Sequence, residues 1–268
     1  MVVLIGLLVA ALVALGVPSV RAGGGAVELV RTPDGGIQPQ AVVDVRGVTH
    51  LLYYRGTSGA GDLFYRSSRS RPKGPGEWSA ALRVNSVPNS AIAAGTIRGG
   101  QLAVGRAGRV HVVWNGSGAV SEGNTRSPML YSRLNDAGTA FEPQRNLMRH
   151  TAMLDGGGTV AADDRGHVQV MWHAQEASLT AGNEQARKIW TARSNDDGRT
   201  FAPEAPAFTE PTGVCPCCSI KAFADRKGGW YVLYRIARDK TGRDMYLLTS
   251  RDGERFQGTP LDPWPVPT

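Results

Sequence analysis

All three cysteines of this 268-residue chain lie in one short segment, Cys215-Pro-Cys217-Cys218. Thiols this close together can form disulfides, hold a metal ion as thiolates, or stay free and redox-active. Because the count is odd, they cannot all pair with one another. The spacing lacks the paired C-x-x-C pattern of a zinc site. For a bound metal, His150 and His173 are the candidates for further ligands. All three alternatives stay open, and no cofactor is predicted apart from a metal at this cluster.

A second group of residues able to do chemistry follows short apolar segments along the chain. Guanidinium groups bind carboxylates through paired hydrogen bonds, and imidazole or carboxyl groups can bind or transfer protons. Each such residue alone is typical of a solvated loop, so only their convergence on one surface would make a site. The group comprises Arg98, His150, Asp155, His173, Arg235, Arg243 and Asp244.

An internal repeat supplies the elements that must position these residues. Four hairpin-like segments close on an aromatic residue, at positions 78, 141, 201 and 256, about 60 residues apart. Each follows an apolar segment rich in β-branched and aromatic residues, such as Val110–Trp114 and Val168–Trp172. With a further strand on either side, this pattern predicts four strands per repeat, which is the unit of a β-propeller blade.

Two of the repeats carry a recognisable turn motif. The third copy matches the Asp box, or BNR repeat, at every defining position, and the second copy matches it in part. The chain therefore resembles the sialidase-like β-propeller superfamily over its whole mature length. The matching residues are Ser194, Asp196, Gly198, Thr200 and Phe201 in the third copy, and Asp136, Gly138 and Phe141 in the second.

The predicted fold class is all-β, a sialidase-like propeller of four-stranded blades. Four blades are expected in this sequence, at about 37–85, 100–147, 157–207 and 218–261. The superfamily usually has six blades, and a related bacterial group has a further Cys-Pro segment after its Cys-x-Cys-Cys motif. The resemblance implies that the sequence is part of a longer six-bladed chain, whose additional Cys would pair with the cluster. The alternative is a true four-bladed propeller.

The Asp box itself is expected to be structural. Gly198 permits a positive φ in a tight turn, and Asp196 can hydrogen-bond nearby backbone N–H groups. Phe201 is expected to pack between sheets. Asp196 and Asp136 are thus predicted to be turn residues, and the family keeps its active site on the opposite side of the propeller.

Antiparallel connectivity then assigns each loop to a side. Turns from the first to the second strand and from the third to the fourth share one side, which we call the turn face; it carries the boxes at 136–141 and 194–201. The remaining loops share the other side, which we call the loop face; it is predicted to carry the cysteine cluster and the seven polar residues named above. Arg235, Arg243 and Asp244 match an Arg and an Arg-Asp pair of the related bacterial group. His50 and His111 occupy matching positions inside strands and are predicted to be packing residues.

The N-terminus predicts export. Residues 1–22 contain an uncharged apolar stretch that ends in Val20-Arg21-Ala22, which is typical of a cleaved signal peptide, and 23–268 would form the propeller domain. An uncleaved membrane anchor is the alternative. We expect a bacterial protein that is secreted or periplasmic, with no membrane span after cleavage. The formal charge of +7 comes from scattered basic residues, mostly Arg, so no nucleic-acid partner is predicted.

The resemblance implies a glycan or small anionic ligand. Enzymes of the family clamp a sialic acid carboxylate with three Arg and use a Tyr activated by Glu together with an acidic acid/base residue. The Phe-Arg-Ile-Pro-like motif of the first clamp Arg is absent from this sequence, and the catalytic residues stay unassigned. We therefore predict an exo-α-sialidase, another glycosidase or a glycan-recognition domain. The alternative is a non-catalytic binding or assembly propeller with a disulfide or metal at the cysteines.

Overall fold

The computed structural model describes residues 29–69, 77–95, 99–121, 127–152, 154, 156–179, 182–238 and 242–261. In this part of the chain the regular structure consists of β-strands and short 3-10 turns, with no α-helix. The chain from Arg31 onward clusters as one compact unit. The predicted signal peptide, Arg98 and Asp155 lie outside the described residues. No helix with the length and apolar character needed to cross a bilayer occurs where the structure is described.

Each of the four sheets has strands that follow one another both in sequence and in space, and every pairing is antiparallel. Blade one contains β1 (Ile37–Val43), β2 (Thr49–Thr57), β3 (Ala60–Ser68) and β4 (Leu82–Arg83). Blade two contains β5 (Gln101–Val104), β6 (Val110–Asn115), β7 (Met129–Arg133) and β8 (Arg145–Asn146).

Blades three and four repeat this order, and blade three has one added short strand. Blade three contains β10 (Thr159–Ala162), β11 (Val168–Glu176), β12 (Lys188–Ser194) and β13 (Ala205–Pro206), with β9 (Thr151–Ala152) paired to the end of β11. Blade four contains β14 (Lys221–Ala224), β15 (Trp230–Arg235), β16 (Met245–Ser250) and β17 (Gln257–Leu261). The predicted all-β fold with four four-stranded blades is confirmed.

The first strand of each blade lies innermost. β1 contacts β5, β5 contacts β10, and β10 contacts β14. The blades therefore fan around a common axis lined by their first strands, as in a propeller. Because successive residues of a strand face opposite sides, alternate apolar residues of each blade meet those of the next blade. Three hydrophobic clusters fill these spaces between blades.

Matching residues make matching contacts between the blades. His50 Nδ1 lies 2.7 Å from the hydroxyl of Tyr65, and His111 Nδ1 lies at the same distance from the hydroxyl of Tyr131. Both imidazoles are buried, so the prediction that they are packing residues is confirmed. Phe201 of the third box packs edge-on against Tyr131 of the preceding blade, with ring centroids 4.7 Å apart.

The third Asp box is closed by its own side chains. The backbone N–H of Thr200 donates to Asp196 Oδ1 at 2.8 Å, and the N–H of Gly198 donates to Ser194 Oγ at 2.9 Å. Partial burial raises the pKa of Asp196, but hydrogen bonds from Thr200 and Ser194 outweigh it and lower that pKa to about 2. Gly198 has a φ of +76°. These contacts support a structural role for the box.

Blade four contains a box that the sequence pattern shows only weakly. Asp252 Oδ1 accepts the backbone N–H groups of Glu254 and Arg255 at 2.8 and 2.9 Å, and the N–H of Gly253 donates to Ser250 Oγ at 2.9 Å. The turn is one residue shorter than in blade three, which hides the motif in the sequence.

The structure differs from expectation at Asp136. Asn135 closes the turn of blade two, because its Oδ1 accepts the N–H of Thr139 at 2.9 Å. The carboxylate of Asp136 points away and pairs with Arg109 at 2.5 Å and with Arg199 of the third box at 2.9 Å. Asp136 therefore connects two blades, and its neighbour holds the turn.

Candidate functional site

One position recurs on the loop face. It is the residue directly after the aromatic residue of the second strand in each blade. In blade two this is Asn115, whose Nδ2 donates to the carbonyl of Gly156 at 3.0 Å. In blade three it is His173, whose ring lies against Gly156 and beside the backbone of Cys218. Each residue thus reaches a loop that enters a following blade. In blade four the position is Arg235, which contacts the cysteine segment.

The cysteine segment lies on this face, in the loop that leads into β14. Its Sγ atoms lie within 4.8 Å of one another, with Cys215 and Cys217 3.3 Å apart and Cys217 and Cys218 4.0 Å apart. All three are free thiols; Cys215 is buried and Cys217 is exposed. The backbone holds the loop in place, since Cys215 N–H donates to the carbonyl of Arg235 at 3.0 Å.

The two thiols with resolved pKa shifts differ in their readiness to ionise. Burial raises the pKa of Cys215 to about 12, and hydrogen bonds to the other two thiols add to that rise. Burial also acts on Cys218, but contacts with Cys215 and with the Arg235 guanidinium outweigh it and lower the pKa of Cys218. Arg235 Nη1 lies 3.8 Å from Cys218 Sγ. Cys218 is therefore the more easily ionised of these two thiols.

His173 lies directly behind the cysteine loop and is fully buried. Neither ring nitrogen makes a hydrogen bond of normal geometry, although the backbone of Cys218 lies near the ring. Burial, assisted by the positive charge of Arg187, lowers the pKa of His173 to about 3. The imidazole is therefore neutral at physiological pH.

A charged chain connects blades three and four beside the thiols. Arg235 Nε donates to the carbonyl of Arg243 at 2.8 Å, and Arg243 Nη2 pairs with Glu184 Oε1 at 2.5 Å. The ion pair raises the pKa of Arg243 and lowers that of Glu184. Arg243 Nη1 is buried without a hydrogen-bond partner. This side chain therefore has a donor left for a ligand atom.

Lys221 adds a cation at the axis of the propeller. It is the first residue of β14, at the loop-face end of the innermost strand, and its Nζ contacts the side-chain oxygens of Gln101 in β5 and Gln40 in β1. Solvent reaches the side chain, yet surrounding protein atoms desolvate the ammonium and lower its pKa. No carboxylate lies within ion-pair distance of it in the described part of the chain.

Not every residue predicted for the site converges here. His150 is exposed, and its backbone N–H is held by Glu204 Oε1 at 2.6 Å; it does not belong to the thiol group. Asp244, which follows Arg243 in the chain, is half-buried and makes contacts of its own, and its carbonyl accepts the N–H of Ile236 at 3.0 Å. The structure thus brings together the cysteines, His173, Arg235 and Arg243.

Sequence reasoning missed Lys221 on this face and the partner of Glu184. Glu184 is one of the polar residues expected in the loop between the second and third strands of blade three, but nothing in the pattern pairs it with Arg243. Lys221 was hidden because a single lysine at the start of a short strand resembles a solvated terminus. The available signal was its place at the start of the innermost strand, which borders the axis.

The turn face has a different character. A cavity of about 600 Å³ opens there and is lined mainly by valine and alanine side chains with Phe223. Two of its carboxylates form ion pairs: Asp44 pairs with Arg46 at 2.7 Å, and Asp163 pairs with Arg165 at 3.0 Å. Four aspartates and two arginines line this cavity, so it does not share the cationic character of the loop face around Lys221.

Comparison with known proteins gives the fold. No protein-family profile and no curated protein matches the sequence. Among solved structures, the chain is similar to the α-L-arabinanase of Penicillium chrysogenum complexed with arabinobiose, with 14% identity, a TM-score of 0.52, and coverage of 83% of this chain and 65% of that one. It is also similar to the NanB sialidase of Streptococcus pneumoniae, with 9% identity, a TM-score of 0.52, and coverage of 84% and 51%. The chain spans about half to two thirds of these proteins and shares their fold.

Proposed function

We propose that this protein binds an acidic glycan, or another small carboxylated ligand, at the loop face beside the propeller axis. Lys221 carries the proposal. Its ammonium is held at the axis by neutral amide oxygens and has no carboxylate partner among the described residues. A desolvated cation without a counter-ion favours binding of an anion, because the anion restores the electrostatic balance.

The neighbouring guanidinium groups support the same ligand class. In the antiparallel register Leu233 lies opposite Lys221, and Arg235 lies two residues farther toward the loop face. Arg243 contributes a buried Nη1 that has no partner. Guanidinium donors bind carboxylates with fixed geometry, so a sugar acid could contact Lys221 while its ring lies toward Arg235 and Arg243.

The arrangement favours recognition over turnover. An exo-α-sialidase of the resembled family would need three arginines on one carboxylate and a Tyr–Glu nucleophile. Arg235 and Arg243 are the arginines that the structure places beside the cysteine segment, and Arg243 already pairs with Glu184. Exo-α-sialidase or other glycosidase activity is a more specific hypothesis than glycan binding, and hydrolysis of a fluorogenic sialoside would establish it.

Binding of 3′-sialyllactose, measured by isothermal titration calorimetry, tests the proposal. We expect the wild-type protein to prefer it over neutral lactose. Lys221→Met removes the charge and retains most of the side-chain volume, so the affinity should fall at least about tenfold, which is about 1.4 kcal/mol. Lys227→Met, in the exposed turn at the other end of the same hairpin, is the matched control and should leave affinity unchanged.

Equal affinity for lactose and 3′-sialyllactose would contradict the proposal. So would wild-type affinity in Lys221→Met, or an equal loss in Lys227→Met. Binding without hydrolysis of a fluorogenic sialoside would agree with a recognition role.

A further inference from the structure

We infer that Cys215, Cys217 and Cys218 together form a binding site for one copper(I) ion. This inference concerns the thiols and stands apart from the glycan proposal, which depends on Lys221 and the arginines. Three thiols converge on one loop, and no hydrogen-bonding network, packing contact or mechanism described above requires all three of them.

The spacing of the sulfurs suits a single ion. Three sulfurs bound to one metal at about 2.3 Å lie about 4 Å from one another. In the structure the Sγ atoms of Cys215 and Cys217 are 3.3 Å apart, those of Cys217 and Cys218 are 4.0 Å apart, and all three lie within 4.8 Å. Small side-chain rotations therefore place the three sulfurs around one centre.

The backbone prepares the loop for this geometry. Cys218 N–H donates to the carbonyl of Cys215 at 3.3 Å, which closes a turn around Pro216. Cys215 is anchored in turn to the carbonyl of Arg235 in blade four. The fully buried ring of His173 lies beside the backbone of Cys218 from the blade-three side, and the carbonyl of Pro216 lies against Gly156. The thiols thus project from a loop fixed between two blades.

The number of donors selects the metal. Thiolates favour copper(I), zinc and iron–sulfur clusters. Structural zinc sites are four-coordinate, and iron–sulfur clusters generally use four cysteines. Within the residues that the structure describes, the group contains three thiols and no fourth His, Cys, Asp or Glu donor within the same range. Copper(I) accepts three thiolates in a plane, so it fits this set best.

The surroundings suit the charge of such a complex. Copper(I) with three thiolates has a net charge of −2, and Arg235 Nη1 lies 3.8 Å from Cys218 Sγ, where its positive charge offsets part of it. Binding is ligand exchange without electron transfer. Each thiol releases its proton to solvent, its sulfur lone pair forms the bond to copper, and copper stays in the +1 state throughout.

Competition with a chromophoric chelator tests the site. The full chain, reduced and kept anaerobic, is titrated into the copper(I) complex of bicinchoninate, and the loss of colour reports the copper transferred. We expect one equivalent per chain, with three copper–sulfur bonds of about 2.3 Å by X-ray absorption. Cys217→Ser and Cys218→Ser should each weaken binding at least about 100-fold, and Arg235→Gln about tenfold.

Two design choices keep the result decisive. Cys217 is exposed, so its replacement by Ser should leave the fold intact, as checked by circular dichroism; Ser219→Ala, next to the cluster, is the matched control with wild-type affinity expected. Failure of the reduced protein to take copper from the chelator would overturn the inference. Wild-type affinity in Cys217→Ser, or displacement of the copper by one equivalent of zinc(II), would overturn it as well.

Discussion

At the scale of single residues, carboxylates on the turn face act as turn supports. Asp196 and Asp252 each accept backbone N–H groups of their own turn, and these bonds lower both pKa values to about 2. Burial resists ionisation of Asp196, so its hydrogen bonds must outweigh that effect. Such residues stabilise the folded protein only while they are charged.

The charge on Asp196 should therefore stabilise the protein in a pH-dependent way. Its folded pKa of about 2 lies below the value of about 3.9 for an unfolded Asp. The contribution is fully present above about pH 4 and is lost as the pH falls toward 2. We expect Asp196→Asn to lower the free energy of unfolding by about 1 kcal/mol at pH 7, and the deficit to shrink at pH 3. Urea unfolding at both pH values measures this.

Asp164→Asn, at an exposed aspartate in the turn after β10, provides the control and should be nearly neutral at both pH values. A deficit for Asp196→Asn that stays constant or grows on acidification would contradict the assignment of the carboxylate as a charged turn support.

At the scale of elements, the boxes connect neighbouring blades. Asp197, buried beside Gly198, accepts a hydrogen bond from Arg109 Nε at 3.2 Å, and its carbonyl accepts one from Arg133 Nη1 at 3.0 Å. Both arginines belong to blade two. A Cβ on Gly198 would collide with the hydroxyl of Tyr131, which also belongs to blade two. The third box is thus a contact between blades as well as a turn.

Substitutions at two glycines distinguish the role of a box as a turn from its role as a contact between blades. Gly138 and Gly198 both have positive φ values, +69° and +76°, but a Cβ on Gly138 would meet open space. Gly138→Ala should cost about 1–2 kcal/mol from backbone conformation alone. Gly198→Ala should cost at least about 2 kcal/mol more, because Tyr131 must move. Chemical unfolding of both variants gives the comparison, and equal losses would show that the close contact between blades has no energetic effect.

The fold could be predicted from the sequence because it is repeated at every level. Strand alternation, glycine turns and closing aromatics recur in four copies, so a weak copy is supported by a strong one. His50 and His111 were assigned to packing on the same ground, and their bonds to matching tyrosines confirm it. The weak box around Asp252 shows the limit, because a change of one residue in turn length obscures the motif while the hydrogen bonds persist.

The site was only partly predictable, for a physical reason. Loop residues are positioned by neighbours distant in sequence, and no periodicity marks those neighbours. The pairing of Arg243 with Glu184 spans two blades, and the contacts of Lys221 reach residues in blades one and two. Connectivity alone assigns the candidate residues to the loop face, whereas which side chains meet there required the structure.

At the scale of the whole molecule, the proposed binding face lies opposite the face that carries the Asp-box turns. Asp44 and Asp163 on the turn face pair with arginines of their own turns. The loop face keeps an uncompensated Lys221 at the axis and three free thiols nearby. This division predicts where a ligand should change the exchange of backbone amides with solvent.

Hydrogen–deuterium exchange with and without saturating 3′-sialyllactose tests the division directly. We predict slower exchange in the loop-face segments 182–187, 212–221 and 235–238, and no change in the box turns at 134–141 and 194–201. Lactose at the same concentration should leave all of these segments unchanged. Protection confined to the box turns or to the turn-face cavity, with none at 212–221, would contradict the assignment of binding to the loop face.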